Sequence, residues 1–331
     1  MKILFHTSNK DLSLGSYRIW SNNLNKYFNN VNVNSTEDSD TIDSCDVIIL
    51  SKNDSNLVSP LKRTYPNKLI GTINTAADAP KVDCDFVIVG SLEEKASLSN
   101  YENVFYFPLI EDKFQPPELY KTHEQKENLT IGFHGSFSHI SKLGFQSRAI
   151  LMALKEFSQE QNITLKIITT PGVMLPSMPN FPTFKTEIKD WNYGTVGHEL
   201  LECDIGIVPN IAYLSLNDLV SRDINSNKGF FESDYLLRLK NKSNAGRSFV
   251  FHQLGIPVIS DLTPSNLHVM GSGECGHIVS NQLGWLRSFR DLKDYKKRQL
   301  IADRAKQEFD RLYDPDKWAK KLYNEIKGIK K

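Results

Sequence analysis

Chemistry in this chain is concentrated in the twenty residues from Lys242 to Asp261, where cations, polar caps and two chain-stoppers fall close together. Ser243 and Asn244 have the side chains that cap a helix, Gly255 ends one, and Pro257 sends the chain into an extended Pro-Val-Ile-Ser strand. Lys242 and Arg247 then put positive charge at the end of the helix where the backbone dipole is already positive. An anion resolves that conflict, and a phosphate or diphosphate fits it best. The competing reading is a pair of solvated cations on an ordinary amphipathic helix.

A second set of candidates lies near residue 135. Gly135 and Ser136 follow an apolar run ending at His134, and Lys142 comes shortly after. Backbone N–H groups and an ammonium in such a loop can meet a diphosphate. His134 either touches ligand or closes the sheet edge. Nearer the start, Ser13-Leu-Gly-Ser-Tyr-Arg18 occupies a strand-to-helix turn, where Gly15 permits close backbone approach and Arg18 reaches a phosphate or an acceptor, or else lies on a solvated helix face. Asp78 is an acceptor contact or a base in one reading and a helix cap in the other. His6 ends the first apolar run, and His252 falls inside the helix after Lys242 and is expected to be packed.

These residues need a scaffold, and short apolar runs alternating with helical patterns supply it. Strands are expected at Lys2–His6, Asp46–Ser51, Lys68–Ile73, Asp85–Val89 and Val104–Pro108, with a helix over Tyr17–Phe28. The pattern restarts with a strand at Leu129–His134, a helix over about Phe145–Gln159, strands at Leu165–Thr169 and Ile205–Val208, the helix after Lys242, and a strand at Val258–Ser260. Glu111 to Asn128, rich in Pro, Lys, Glu and Gln, reads as the linker. The fold class is therefore α/β, two Rossmann-like doubly wound domains with a cleft between them, 1–115 and 116–313. A terminal amphipathic helix over 314–331, with Trp318, Leu322 and Ile326 on one face, is expected to pack back on the first domain. Ile211 to Lys240 mixes charges with Phe230, Phe231 and Tyr235, as a ligand-binding loop or lid would, and as a plain insertion would too.

Composition narrows the partners. Forty basic residues against thirty-nine acidic ones give a net charge of +1, so no overall field points to nucleic acid. The four cysteines are widely spaced without a Cys-x-x-Cys pair, which speaks against zinc and against a disulfide framework. The N-terminus reads as a first strand rather than a signal peptide, and no apolar run approaches the ~18 residues of a membrane span, so a cytoplasmic place is expected. The lysines of the last helix leave room for a peripheral seat on the inner membrane face, or are simply a solvated face.

Taken in order, Cys84-Asp-Phe-Val-Ile-Val-Gly-Ser-Leu-Glu-Glu, Ile131-Gly-Phe-His-Gly-Ser-Phe, Cys203-Asp-Ile-Gly-Ile-Val-Pro and the Lys242 block resemble the GT-B glycosyltransferases, within them the family 4-like group. The resemblance spans nearly the whole chain. It implies a nucleoside-diphosphate sugar as donor, held by the second domain, and a glycan or lipid-linked acceptor. Arg247 and Lys242 would stabilise the departing diphosphate with no metal and no cofactor beyond that co-substrate, and no Asp-x-Asp motif stands in a plausible cleft loop. Gly135, Ser136, Lys142, Ser243, Asn244, Arg247, Gly15, Arg18 and His134 would line the nucleotide site, and Asp78 would act at the acceptor. Aligning Gly255-Ile-Pro257 on the family's Gly-x-Pro turn puts Lys242 and Val250 where the family carries two glutamates, and Asn74 near a usual histidine. Two alternatives stay open: a catalytically silent binding protein of the same fold, and a sugar-nucleotide epimerase.

Overall fold

A computed structural model describes residues 1–13, 15–28, 32–33, 39–73, 83–98, 101–114, 117–136, 140, 148–169, 183–210, 244–271 and 273–330. The chain divides into two compact units, Met1–Asp112 with Tyr313–Lys331, and Lys113–Leu312. Each is built on its own six-stranded sheet, and every strand pairing recorded in either sheet is parallel.

In unit 1 the strands are β1 (Ile3–His6), β2 (Asn32–Val33), β3 (Val47–Leu50), β4 (Leu69–Ile73), β5 (Phe86–Val89) and β6 (Val104–Tyr106), in the spatial order β2-β1-β3-β4-β5-β6. β1, β3 and β5 carry apolar runs, Ile3–Phe5, Val47–Leu50 and Phe86–Val89, because both faces are covered. Alternation sorts them. Ile3, Phe5, Val47, Ile49 and Ile88 pack with Trp20, Leu24, Phe28, Ala319, Leu322 and Ile326, whereas Leu4, Ile48, Leu50 and Ile70 pack with Ile42, Val58 and Leu61. The helix carrying Ala319, Leu322 and Ile326 runs over Pro315–Lys327, capped by Asp314, and belongs to this unit's core. Three of its lysines are engaged locally: Lys317 pairs with Asp314, Lys320 with Asp316, and Lys321 lies over the Trp318 ring.

Where a single α-helix is expected over Tyr17–Phe28, the chain forms a wide π-type helix over Ser16–Asn23 and then a tight turn over Leu24–Lys26. Arg18 points inward from it.

In unit 2 the strands are β7 (Asn128–His134), β8 (Asn162–Thr169), β9 (Lys185–Asp190), β10 (Ile205–Val208), β11 (Val258–Asp261) and β12 (His277–Val279), in the order β12-β11-β10-β7-β8-β9. β9 and β12 went unread in the sequence: one is mostly polar and half exposed, the other three residues long. Leu129, Ile131, Phe133, Ile205 and Ile207 face a core built with the helix Arg148–Phe157 and with Trp285 and Phe289 of the helix Gln282–Asp291. On the other side Gly206 admits the ring of Phe251, which would stand 2.7 Å from a β-carbon there. That close approach seats the helix Gly246–Gln253 on the sheet.

The segment read as a linker is not a free one in its second half. Lys121 N–H donates to Leu254 O, and the Lys121 amine reaches Leu201 O and, at 3.4 Å, Asp204. His123 donates from Nε2 to Gly255 O and accepts at Nδ1 from Arg298, a buried guanidinium that also donates to Glu124 O. Polar residues pack here because Lys121, His123 and Arg298 find carbonyl, carboxylate and imidazole acceptors. Among the described residues no helix is long and apolar enough to cross a membrane.

Candidate functional site

In unit 2 the chain runs β7, β8, β9 to one side and then returns past β7 to lay down β10 on the other. Open parallel sheets bind ligands outside the carboxyl ends of the strands at such a switch point. The residues just past these two strand ends are Gly135–Ser136 after β7 and Pro209–Asn210 after β10.

The helix Gly246–Gln253 delivers Arg247 to the same place. It begins later than the sequence suggests: Ala245 stands at its cap position without a side-chain bond, and Asn244 Oδ1 instead accepts the Gly246 N–H at 3.1 Å. Phe251, one turn on from Arg247 and on the same face, is pinned over Gly206 and meets the His134 ring edge-on at 5.1 Å. Arg247 therefore lies at the carboxyl edge, its guanidinium 5.5 Å from the Phe133 ring centre.

Gly135 has φ +127°, a backbone region closed to residues with a side chain, and an added β-carbon would come within 3.3 Å of Arg247 Cδ. The Arg247 side chain can pass this close to the chain there because the residue is glycine. Ser136 is exposed beside it, and His134 is buried.

Arg247 is fixed from one side only. Its Nη2 donates to Asn210 Oδ1 at 2.8 Å and to Pro209 O at 3.3 Å, while Nη1, shielded from solvent, has no hydrogen-bond partner among the described residues. Asn210, 1% exposed, likewise has no partner among them for its Nδ2. Behind Asn210 stands Asp261 at the end of β11. Its Oδ2 accepts the Asn210 N–H at 2.7 Å and its Oδ1 accepts the Trp285 indole N–H at 3.2 Å. Burial pushes the Arg247 guanidinium down to about 10, against the pull of Asp261, so it stays charged at neutral pH. The result is a cation and an amide whose free donors are set at a sheet switch point, an arrangement suited to a multiply charged oxyanion.

The other residues singled out in the sequence fall as follows. Arg18 does not lie on a solvated helix face: it is 6% exposed, bound through Nε and Nη2 to both oxygens of Glu111 at 2.8 and 2.6 Å, and donates from Nη1 to Leu12 O. Gly15 adopts ordinary helical angles, and a β-carbon there would touch only Ile19, at 3.7 Å. His252 is buried inside its helix, where burial pushes its imidazole down to about 4. His6, at the end of β1, sits 3.8 Å from Asp54. Burial raises the Asp54 carboxyl, but hydrogen bonds from Ser51 and Ser8 and the His6 charge hold it below the usual range. Lys242, Ser243, Lys142, Asp78, Asn74 and the 211–240 segment lie outside the described residues. Asn210, Asp261 and Trp285 were missed; the first two stand at strand ends beside the switch point, but only the pairing of β10 with β11 brings them together. Among the described residues no group of three or more His, Cys, Asp and Glu side chains is placed to hold a metal ion.

No protein-family model matches the chain, and no curated protein is similar to it in sequence. Solved structures do match its fold. HepE of Anabaena, determined with UDP, superposes with a TM-score of 0.63 at 10% identity, over 99% of this chain and 100% of HepE. Sucrose-phosphate synthase from Thermosynechococcus elongatus gives 0.58 at 11% identity, over 86% of this chain and 75% of the synthase. TarM gives 0.56 at 9% identity over 85% of this chain, which spans only about half, 54%, of TarM. Together with the two parallel sheets, these likenesses identify the fold as GT-B, an α/β architecture of two Rossmann-like domains.

Proposed function

We propose that unit 2 binds a nucleoside-diphosphate sugar and that the protein transfers the sugar to a glycan or lipid-linked acceptor without a metal ion. The observation that carries this reading is the pair of buried donors, Arg247 Nη1 and Asn210 Nδ2, which have no hydrogen-bond partner among the described residues and stand at the β7/β10 switch point. The diphosphate lies against them and against the backbone at Gly135–Ser136, and Lys142, Lys242, Ser243 and Asn244 are assigned to its binding in this reading. HepE, which shares the fold over its full length, was determined with UDP and with UDP-glucose.

The chemistry follows from where charge develops. As the sugar–phosphate bond breaks, its electron pair goes to the diphosphate, and a fixed cation there is worth more in the transition state than in the ground state. Arg247 is such a cation: its orientation is set before the ligand arrives, so little reorganisation is needed. Lys242 adds a second positive charge in this reading, and Asp78 is assigned to the acceptor.

Calorimetric titration with UDP, GDP, ADP and TDP tests the proposal, repeated on Arg247→Ala. One nucleotide should bind the wild type, and loss of a charge-assisted contact should weaken it by about tenfold or more. If none binds at millimolar concentration, the transferase reading fails. Binding that survives Arg247→Ala unchanged would remove the diphosphate from this position.

A further inference from the structure

The switch-point site contains a buried carboxylate beside its cation, which looks counterproductive for a site that takes an anion. Asp261 is 1% exposed, and simple Coulomb attraction between it and Arg247 reduces the positive field offered to a phosphate. Its hydrogen bonds suggest another task. Oδ1 is held by the Trp285 indole, itself fully buried in the core of unit 2, and Oδ2 holds the Asn210 N–H. The main chain of Asp261 is tied down as well, since Asn266 Nδ2 donates to its carbonyl at 3.0 Å and Asn266 N–H is capped by Thr263. Asn210 in turn uses its Oδ1 to hold Arg247 Nη2. A continuous chain thus runs from core indole to carboxylate, to strand-end amide, to guanidinium.

The geometry points to Asp261 as a positioning residue: through Asn210 it orients Arg247, so that Arg247 Nη1 and Asn210 Nδ2 present their free N–H groups together to a diphosphate. This rests on the diphosphate reading of the site. It also specifies the ligand more narrowly. Two donors fixed on adjoining side chains suit an oxyanion that can accept from both at once, and a single neutral hydroxyl leaves one of these buried donors unmet.

The two roles open to Asp261 predict opposite signs. If the carboxylate acts only through its charge, Asp261→Asn removes a repulsion and tightens anion binding. If it positions Asn210, the same substitution weakens binding, because an amide can accept from Asn210 or from Trp285 but must turn its own NH2 toward the other N–H.

The test is a double-mutant cycle on the best-bound nucleoside diphosphate and on inorganic pyrophosphate, using wild type, Asp261→Asn, Arg247→Ala and the double variant. Asp261→Asn should weaken both ligands by about tenfold in the wild-type background and by no more than about twofold when Arg247 is already gone. Tighter or unchanged binding in Asp261→Asn overturns the inference, as does an equal loss in both backgrounds, which would mark a merely structural residue. Should Asp261→Asn fail to fold, Trp285→Phe releases the other carboxylate oxygen and keeps the charge. It should weaken both ligands by about threefold, again only when Arg247 is present, and wild-type binding would refute the chain of contacts. A wild type that binds no nucleoside diphosphate fails the functional reading itself, and the inference with it; binding that is intact in wild type but insensitive to Asp261 and Trp285 fails the inference alone.

Discussion

Acidification should begin to destabilise unit 2 above the carboxylate range, because two of its histidines are buried in the neutral state. His123 donates to Gly255 O and accepts from Arg298; His252 has no hydrogen-bond partner for Nε2 among the described residues. Burial pushes each imidazole from 6.5 down to about 4, and for His123 the nearby Lys121 and Arg298 charges push the same way. Between these values the unfolded chain takes up a proton at each histidine and the folded chain does not. Stability is therefore fully present above about pH 6.5 and falls as the pH drops toward 4. A gap from 6.5 to about 4, at ~1.36 kcal/mol per pH unit, gives about 3 kcal/mol for each histidine and about 7 for both. That is a large part of the 5–15 kcal/mol (roughly) that holds a typical domain together. Urea midpoints followed by circular dichroism from pH 7.5 to 4.5 measure it, and His252→Leu should remove about half of the pH dependence. A midpoint that stays flat down to pH 5, or a His252→Leu slope equal to that of wild type, would refute the reasoning.

Two further substitutions probe the backbone and the first unit. Gly135→Ala forces a side chain into a φ of +127° and against Arg247, so it should cost about 1–3 kcal/mol in urea unfolding and weaken nucleotide binding by about tenfold; titration and denaturation together check both, and wild-type values in each would remove Gly135 from the site. Arg18→Ala strands the Glu111 carboxylate in the interior and should destabilise unit 1 by about 3–5 kcal/mol, with much of the loss recovered in the pair Arg18→Met, Glu111→Gln. Thermal melts of the three proteins decide it, and a single variant as stable as the pair contradicts the buried-pair account.

The parallel sheets were legible because strands covered on both faces carry long apolar runs, and Val47–Leu50 or Phe86–Val89 admit few other structures. β9 was hidden for the opposite reason: Lys-Thr-Glu-Ile-Lys-Asp pairs through its backbone at the sheet edge and shows little apolar side chain to betray it. Arg247 and Gly135 could be picked from local grammar alone, a cation at a helix start and a glycine past a strand end. Asn210 and Asp261 could not. They are close only because β10 and β11 are neighbours in register, Val208 opposite Ser260, and sequence spacing gives no measure of that. Arg18 illustrates the limit in the other direction, since its partner Glu111 lies 93 residues away and only the folded sheet brings them together.

The helix Pro315–Lys327 completes the core formed by β1, β3 and β5, although all of unit 2 separates it from them in the chain. Synthesis proceeds from the N-terminus, so the first unit to be made is the last able to close. While Lys113–Leu312 is being translated, Phe5, Trp20 and Phe28 lack the apolar cover that Ala319, Leu322 and Ile326 will provide. The core of unit 2 described above uses no residue of unit 1. Unit 1 therefore cannot complete its core until unit 2 has been synthesised, and the nascent first unit, with an aromatic surface waiting for its last helix, is the species a chaperone would meet.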